Sequence, residues 1–149
     1  MVTTVGTEST IEDLLNDLIE LDYDAADAYQ AAIDRLDDPA FRTTLSEFKR
    51  DHLRHIDELG LVLTGLGRTP PKQGNLKILL TRGKVIIGGL AGDKAILQAM
   101  RTNEADTNTA YERAVQFRDL TSNARDVLDR GLEDERRHCE WILSTLKTL

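Results

Sequence analysis

The sequence predicts an all-α fold: an antiparallel four-helix bundle with a long helical crossover between the second and third helices. Three observations lead there. Four stretches of chain carry apolar residues at helical spacing, each along one face. The connections between them run short, long, short, which is the order of a bundle with one crossover. Each apolar stripe is broken near its middle by a polar side chain able to bind a metal.

The first helix opens at Ser9-Thr10-Ile11-Glu12, which has the Ser-x-x-Glu form of a capping box, and its periodicity runs to about residue 37. Asp38-Pro39 then supplies an N-cap and a proline at the first helical position, where a missing N–H breaks no helical bond. The second helix runs from there to about residue 66 and is stopped by Gly67 and Pro70-Pro71. Gly92-Asp93 opens the third, which reaches about residue 120, and Thr121-Ser122-Asn123 gives the turn and N-cap of the last, which reaches about residue 147. Two tight connections make two antiparallel hairpins. The roughly 25 residues between 67 and 92 are too many for a turn and make a crossover. At 149 residues the whole chain is expected to form one domain.

Heptad spacing identifies what faces the core. The first stripe reads Ile11, Leu15, Leu18, Asp22, Ala25, Tyr29, Ala32, Leu36, and the second Phe41, Leu45, Phe48, His52, His55, Leu59, Val62, Leu66. The third reads Leu97, Met100, Glu104, Thr107, Tyr111, Ala114, and the fourth Leu128, Leu132, Glu135, Cys139, Ile142, Leu146. His138 sits one step off the last stripe but three residues from Glu135, and side chains three apart share a side of a helix. A core-facing His or Glu is costly unless something pairs with it, and a metal ion is one such partner. The hairpins also read as copies. His52 and His55 are each 83 positions from Glu135 and His138 (52 to 135, 55 to 138), while Asp22 and Tyr29 are each 82 from Glu104 and Tyr111 (22 to 104, 29 to 111). An internal two-fold repeat places a site on its axis.

Composition narrows the function classes. A net charge of −7 argues against nucleic acid as the main partner, because phosphate binding needs a basic surface. The single cysteine, Cys139, makes no internal disulfide. Its residue type points to a small buried hydrophobe. The polar first ten residues lack the apolar stretch of a signal peptide, and no run of 18 apolar residues offers a membrane span, so a cytoplasmic location is the default expectation. No P-loop, nucleophile elbow, dinucleotide fingerprint or zinc-ribbon cysteine pair is present.

With these residues in place, the chain resembles the ferritin-like superfamily, the group holding bacterioferritins and rubrerythrins, and within it a short bacterial branch. The resemblance spans roughly residues 10–147. It rests on hairpin–crossover–hairpin order, on Glu135-x-x-His138, on Asp22…Tyr29 and Glu104…Tyr111, and on the central segment from Leu76 to Val85. It implies a metal site at the bundle centre with Asp22, His52, His55, Glu104, Glu135 and His138 as ligands. An iron pair handling oxygen or peroxide follows from the same likeness, as in an oxidase or peroxidase. The chain departs from that pattern at two positions: His52 stands where a bridging Glu is usual, and Asp22 is shorter than the usual Glu. Loss of a bridging carboxylate leaves two metals, a single metal or none as alternatives; a His-rich set suits Zn, Cu, Ni or Fe, and Mn is a further alternative to iron.

Other readings remain open at this level. The same cluster could be a carboxylate–histidine network on a degenerate, non-enzymatic stress or scaffold protein. Glu20, Asp24 and Asp27 flank Asp22 and would replace it under a shifted helical phase, but a solvated face is the favoured reading for them. Tyr29 and Tyr111 read as core aromatics with outward hydroxyls, or as hydrogen-bond donors to a ligand. Arg68, Lys72, Lys77, Arg82 and Lys84 occur without an intervening acid among apolar residues. Packing across the bundle flank or a homodimer interface is favoured for them over a membrane surface or partner.

Overall fold

The computed structural model describes residues 3–74, 87 and 89–149. Among the described residues there are four helices and no strand: α1 (Ile11–Ile33), α2 (Pro39–Gly65), α3 (Asp93–Ala114) and α4 (Ser122–Leu146). The helix starts follow the local chemistry with one shift. Thr10, not Ser9, caps α1, its hydroxyl accepting from the Asp13 N–H at 3.1 Å, so the N-cap lies one residue later than the sequence form suggested. Asp38 caps α2 through the Ala40 N–H with Pro39 directly behind it, and Thr121 caps α4 through the Ala124 N–H. α1 ends at Ile33 rather than near 37, because Arg35 and Leu36 both turn back onto the Ala32 carbonyl and Leu36 is folded into the core. α3 stops at Ala114 rather than near 120, ahead of Asp119, whose φ of 60° is left-handed.

Cross-helix pairs set the orientations. Asp22 meets His52 while Gln30 meets Lys49, so α1 and α2 are antiparallel. Asp22 meets Tyr111 while Tyr29 meets Glu104, so α1 and α3 are antiparallel as well. His55 with Asp134 and His138 with Asp51 give the same sense to α2 and α4. Each helix therefore packs on two neighbours, α1 on α2 and α3, α4 on α2 and α3. The diagonal pairs run parallel. α2 ends and α3 begins at opposite ends of this four-helix bundle, which is about 40 Å long for a helix of 27 residues. The Asp93 carboxylate at the start of α3 accepts from the Asp37 and Asp38 N–H groups at the α1–α2 turn, while Arg68 beyond α2 reaches Asp13 at the start of α1. The helix expected over the crossover, with Lys77, Arg82 and Lys84, lies outside the described residues.

The core is in two parts. One apolar cluster gathers Leu14, Leu15, Leu18, Leu59, Leu63, Ala114 and Leu128. The other gathers Ala32, Leu36, Leu45, Ile87, Leu97, Met100 and Ile142. Between them lies the layer that carries Asp22, His52, Glu104 and Glu135, one from each helix. Burying a charge unpaired costs several kcal/mol even after relaxation, so this layer must be satisfied internally or by a bound cation.

Candidate metal centre

All six predicted ligands meet in that layer, each between 0% and 2% exposed. Their donor atoms fall into two groups of mutual reach, Asp22, His52, His55 and Glu135 in one, His52, Glu104, Glu135 and His138 in the other. His52 and Glu135 belong to both. In each group the donors lie within 4.8 Å of one another, so either group could hold a metal ion.

The repeat in the sequence becomes a cross-over of hydrogen bonds. Tyr111 on α3 donates its hydroxyl to Asp22 on α1 at 2.6 Å, and Tyr29 on α1 donates to Glu104 on α3. Both hydroxyls thus turn toward the carboxylates, which settles the tyrosine alternatives in favour of hydrogen bonding to the candidate ligands. On the other two helices, His55 Nε2 meets Asp134 Oδ2 at 2.9 Å and His138 Nε2 meets Asp51 Oδ2 at 2.8 Å. Each of these histidines is backed by an acid from the opposite helix and keeps its Nδ1 toward the centre. Carboxylates behind imidazoles fix ring orientation and raise ligand basicity. Arg137 joins Asp51 at 2.6 Å and Asp134 at 3.0 Å, and Arg54 also joins both acids, closing the layer toward solvent.

Asp51 and Asp134 were not anticipated. Their signal was present: Asp51-His-Leu-Arg-His55 and Asp134-Glu-Arg-Arg-His138 share Asp-x-x-Arg-His at the same 83-residue offset (51 to 134). Three further readings need correction. His138 is fully buried and Cys139 only half-buried, the reverse of what the heptad stripe implied. Asp24 is buried rather than solvated, because the chain beyond α2 lies over it at Gly74. Leu66, on the second stripe, is exposed just past the end of α2.

Electrostatics follow from these contacts. Burial alone would lift Asp22, yet hydrogen bonds from His52 and His55 hold it down to about 2. Glu135 is pushed up to about 8, by burial first and by the neighbouring Glu104 and Asp22 charges. Burial works against protonated His55, but Asp134 and Asp22 raise it to about 9. His52 is also raised, against burial, by the Glu135 charge, by its hydrogen bond to Asp22 and by the Glu104 carboxylate 3.8 Å from its Nε2. His138 is lowered, burial outweighing its bond to Asp51. The fit to a cation has a direct test in the hydrogen bonding. Among the described residues, His52 Nε2, His138 Nδ1 and both Glu135 carboxylate oxygens are buried without a hydrogen-bond partner. Buried polar atoms rarely stay unpaired, and two imidazole nitrogens with a carboxylate form a transition-metal donor set.

Residues 10–117 match the family model described as a domain of unknown function, DUF2383. The chain belongs to the DUF2383 family. The matched segment of this DUF2383 chain holds Asp22, Tyr29, His52, His55, Glu104 and Tyr111, and it ends before α4 brings in Glu135 and His138. The structure is similar to a crystal structure of a conserved hypothetical protein, Rv2844, from Mycobacterium tuberculosis. The TM-score is 0.74 at 14% identity, over 93% of this chain and 98% of that one, a likeness of fold alone. Comparison with curated proteins gives no match. No described helix is long and apolar enough to cross a membrane.

Proposed function

We propose that this chain is a ferritin-like metal-binding protein whose ligands come from Asp22, His52, His55, Glu104, Glu135 and His138, with iron as the ion and peroxide or oxygen handling as its chemistry. One observation carries the reading. Buried atoms of His52, Glu135 and His138 that make no hydrogen bond, their ion-pair distances no shorter than 3.5 Å, converge where Glu104 already presents a carboxylate. A self-sufficient hydrogen-bonded network would leave no such set of atoms without a bond.

Iron held there would supply one-electron redox chemistry toward a small oxidant. The chain's own residues supply the rest. The apolar clusters on either side exclude water from the layer, which strengthens its electrostatic interactions. Asp51 and Asp134 orient the His138 and His55 rings. Tyr29 and Tyr111 keep their protons, since burial and the Glu104 and Asp22 charges push their ionisation well up. Their hydroxyls thus remain donors that fix the carboxylate rotamers.

Anaerobic loading with Fe(II), followed by peroxide addition, tests the reading. Peroxide should be consumed with oxidation of protein-bound iron, and a Glu104→Gln/Glu135→Gln double variant should neither bind iron nor consume peroxide above the rate of free iron. Equal iron binding by the double variant would overturn the assignment.

A further inference from the structure

We propose that the cluster is one-sided: a single transition-metal ion is held by His52 Nε2, Glu104, Glu135 and His138 Nδ1, while Asp22 orients His52 from behind and does not ligate. This rests on the metal-binding reading above and narrows it to one ion and four ligands.

Hydrogen bonding separates the two halves of the layer. Asp22 accepts from His52 Nδ1 at 2.7 Å, from Tyr111 at 2.6 Å and from His55 Nδ1 at 3.3 Å. Two donors on one ion, with bonds of about 2.0–2.1 Å, stand roughly 3 Å apart or more. His52 Nδ1 and Asp22 Oδ1 are closer than that and share a proton instead. His55 is engaged at both ring nitrogens, by Asp22 on one edge and by Asp134 on the other. Glu135 is the one member of this half with bare oxygens, and it faces the other half as well.

That other half collects the bare atoms. His52 Nε2 and His138 Nδ1 each lie 3.8 Å from Glu104 Oε1, and His138 Nδ1 lies 4.0 Å from Glu135 Oε2. A tetrahedral site with bonds of about 2.0–2.1 Å has edges of about 3.3–3.4 Å, so these three edges would each contract by roughly half an ångström around an ion. Both rings are set for it. The Nδ1–H of His52 donates to Asp22, leaving Nε2 to the ion, and the Nε2–H of His138 donates to Asp51, leaving Nδ1. Glu104 is held in place by the Tyr29 hydroxyl and by Thr107 Oγ1 at 3.4 Å. The cause is one residue. A carboxylate at position 52 could offer an oxygen to each half, as Glu135 does. An imidazole has its nitrogens on different edges of the ring, and His52 has committed one of them to Asp22.

Zn(II) titration of the metal-free full chain by calorimetry tests this, together with X-ray absorption of the 1:1 wild-type complex. One ion per chain is expected, with two imidazoles around it. Glu104→Gln and His138→Gln should each weaken binding by roughly 100-fold or more, Asp22→Asn by about 10–100-fold as loss of a supporting carboxylate, and His55→Gln by less than about tenfold. Two ions per chain, three imidazoles on the ion, or a His55→Gln loss equal to that of His138→Gln would overturn the one-sided site while leaving metal binding intact. No bound ion would remove both. The absorption measurement needs no variant, so misfolding of a substituted chain leaves a decisive result.

Discussion

Gly131→Ala couples the packing of the bundle to the layer at its centre. Gly131 is buried within α4, at the place in the repeat that Phe48 takes in α2 (48 to 131). A Cβ added there would stand 3.0 Å from Tyr111 Cδ1 and 3.2 Å from Cζ, with Cε1 closer still. Restoring ordinary contact requires the ring to move by about 1 Å. The ring has little freedom to do so, because it is 1% exposed and its hydroxyl is 2.6 Å from Asp22. A shift of that size stretches the bond beyond hydrogen-bonding distance. If the ring stays, overpacking costs about 1–3 kcal/mol; if it moves, loss of a bond to an ionised carboxylate costs about 1.5–3 kcal/mol. The helical preference of alanine over glycine returns about 1 kcal/mol. The net loss is up to about 2 kcal/mol, or a Tm lower by up to roughly 8 °C for a chain of this size. Thermal unfolding of the metal-free protein, followed by circular dichroism, reads it. In a Tyr111→Val background the obstructing ring atoms are gone, and the same Gly131→Ala change should stabilise by up to about 1 kcal/mol. Stabilisation of the wild type by that amount would refute the packing of Tyr111 against Gly131.

Other outcomes follow from the same contacts. In metal-free protein Glu135→Gln should cost less than about 1 kcal/mol at pH 7, measured by urea unfolding, since its carboxyl is pushed up to about 8 and makes no hydrogen bond; a loss above about 3 kcal/mol would show that the carboxylate is paired. The metal-free protein should lose stability as pH rises. Both Glu135, raised from 4.5 to about 8, and His55, raised from 6.5 to about 9, bind protons more tightly in the folded state. Their contributions are full below pH 4.5 and 6.5 and are lost through about 8 and 9, so Tm should fall from pH 6.5 to 9. Asp22 has the opposite sign: lowered from 3.8 to about 2, it contributes above 3.8, and that contribution is lost as pH falls through about 2. Metal affinity should instead rise with pH across the neutral range, because the ion displaces protons; calorimetry in buffers of different ionisation enthalpy counts the protons released. Asp51→Asn, behind His138, should weaken metal binding by about 10–100-fold, whereas Asp134→Asn, behind His55, should weaken it several-fold less.

Much of this was legible in the sequence, for physical reasons that can be named. Caps at Asp38 and Thr121 are local, so the starts of α2 and α4 could be read directly. The four polar breaks were legible because a charge in an apolar stripe demands a partner. Helix phase was less secure. Gly131 carries no side chain to mark the core face of α4, and a heptad count then drifted onto Cys139; carrying the α2 register across by the 83-residue offset (55 to 138) lands on His138. Asp51 and Asp134 recur at the same 83-residue offset, but the contact between α2 and α4 is what reveals each as the partner of a buried imidazole on the other helix. Asp24 was misread because its burial comes from a loop, at Gly74, that no helical periodicity describes.

The metal content of the full chain, purified without an affinity tag and measured by elemental mass spectrometry before and after anaerobic Fe(II) loading, bears most directly on the central claim. Bound metal at one equivalent per chain, absent from the Glu104→Gln/Glu135→Gln double variant, is the predicted result. A folded chain that holds no metal in either condition would contradict it, and the buried layer would then be a carboxylate–histidine network alone.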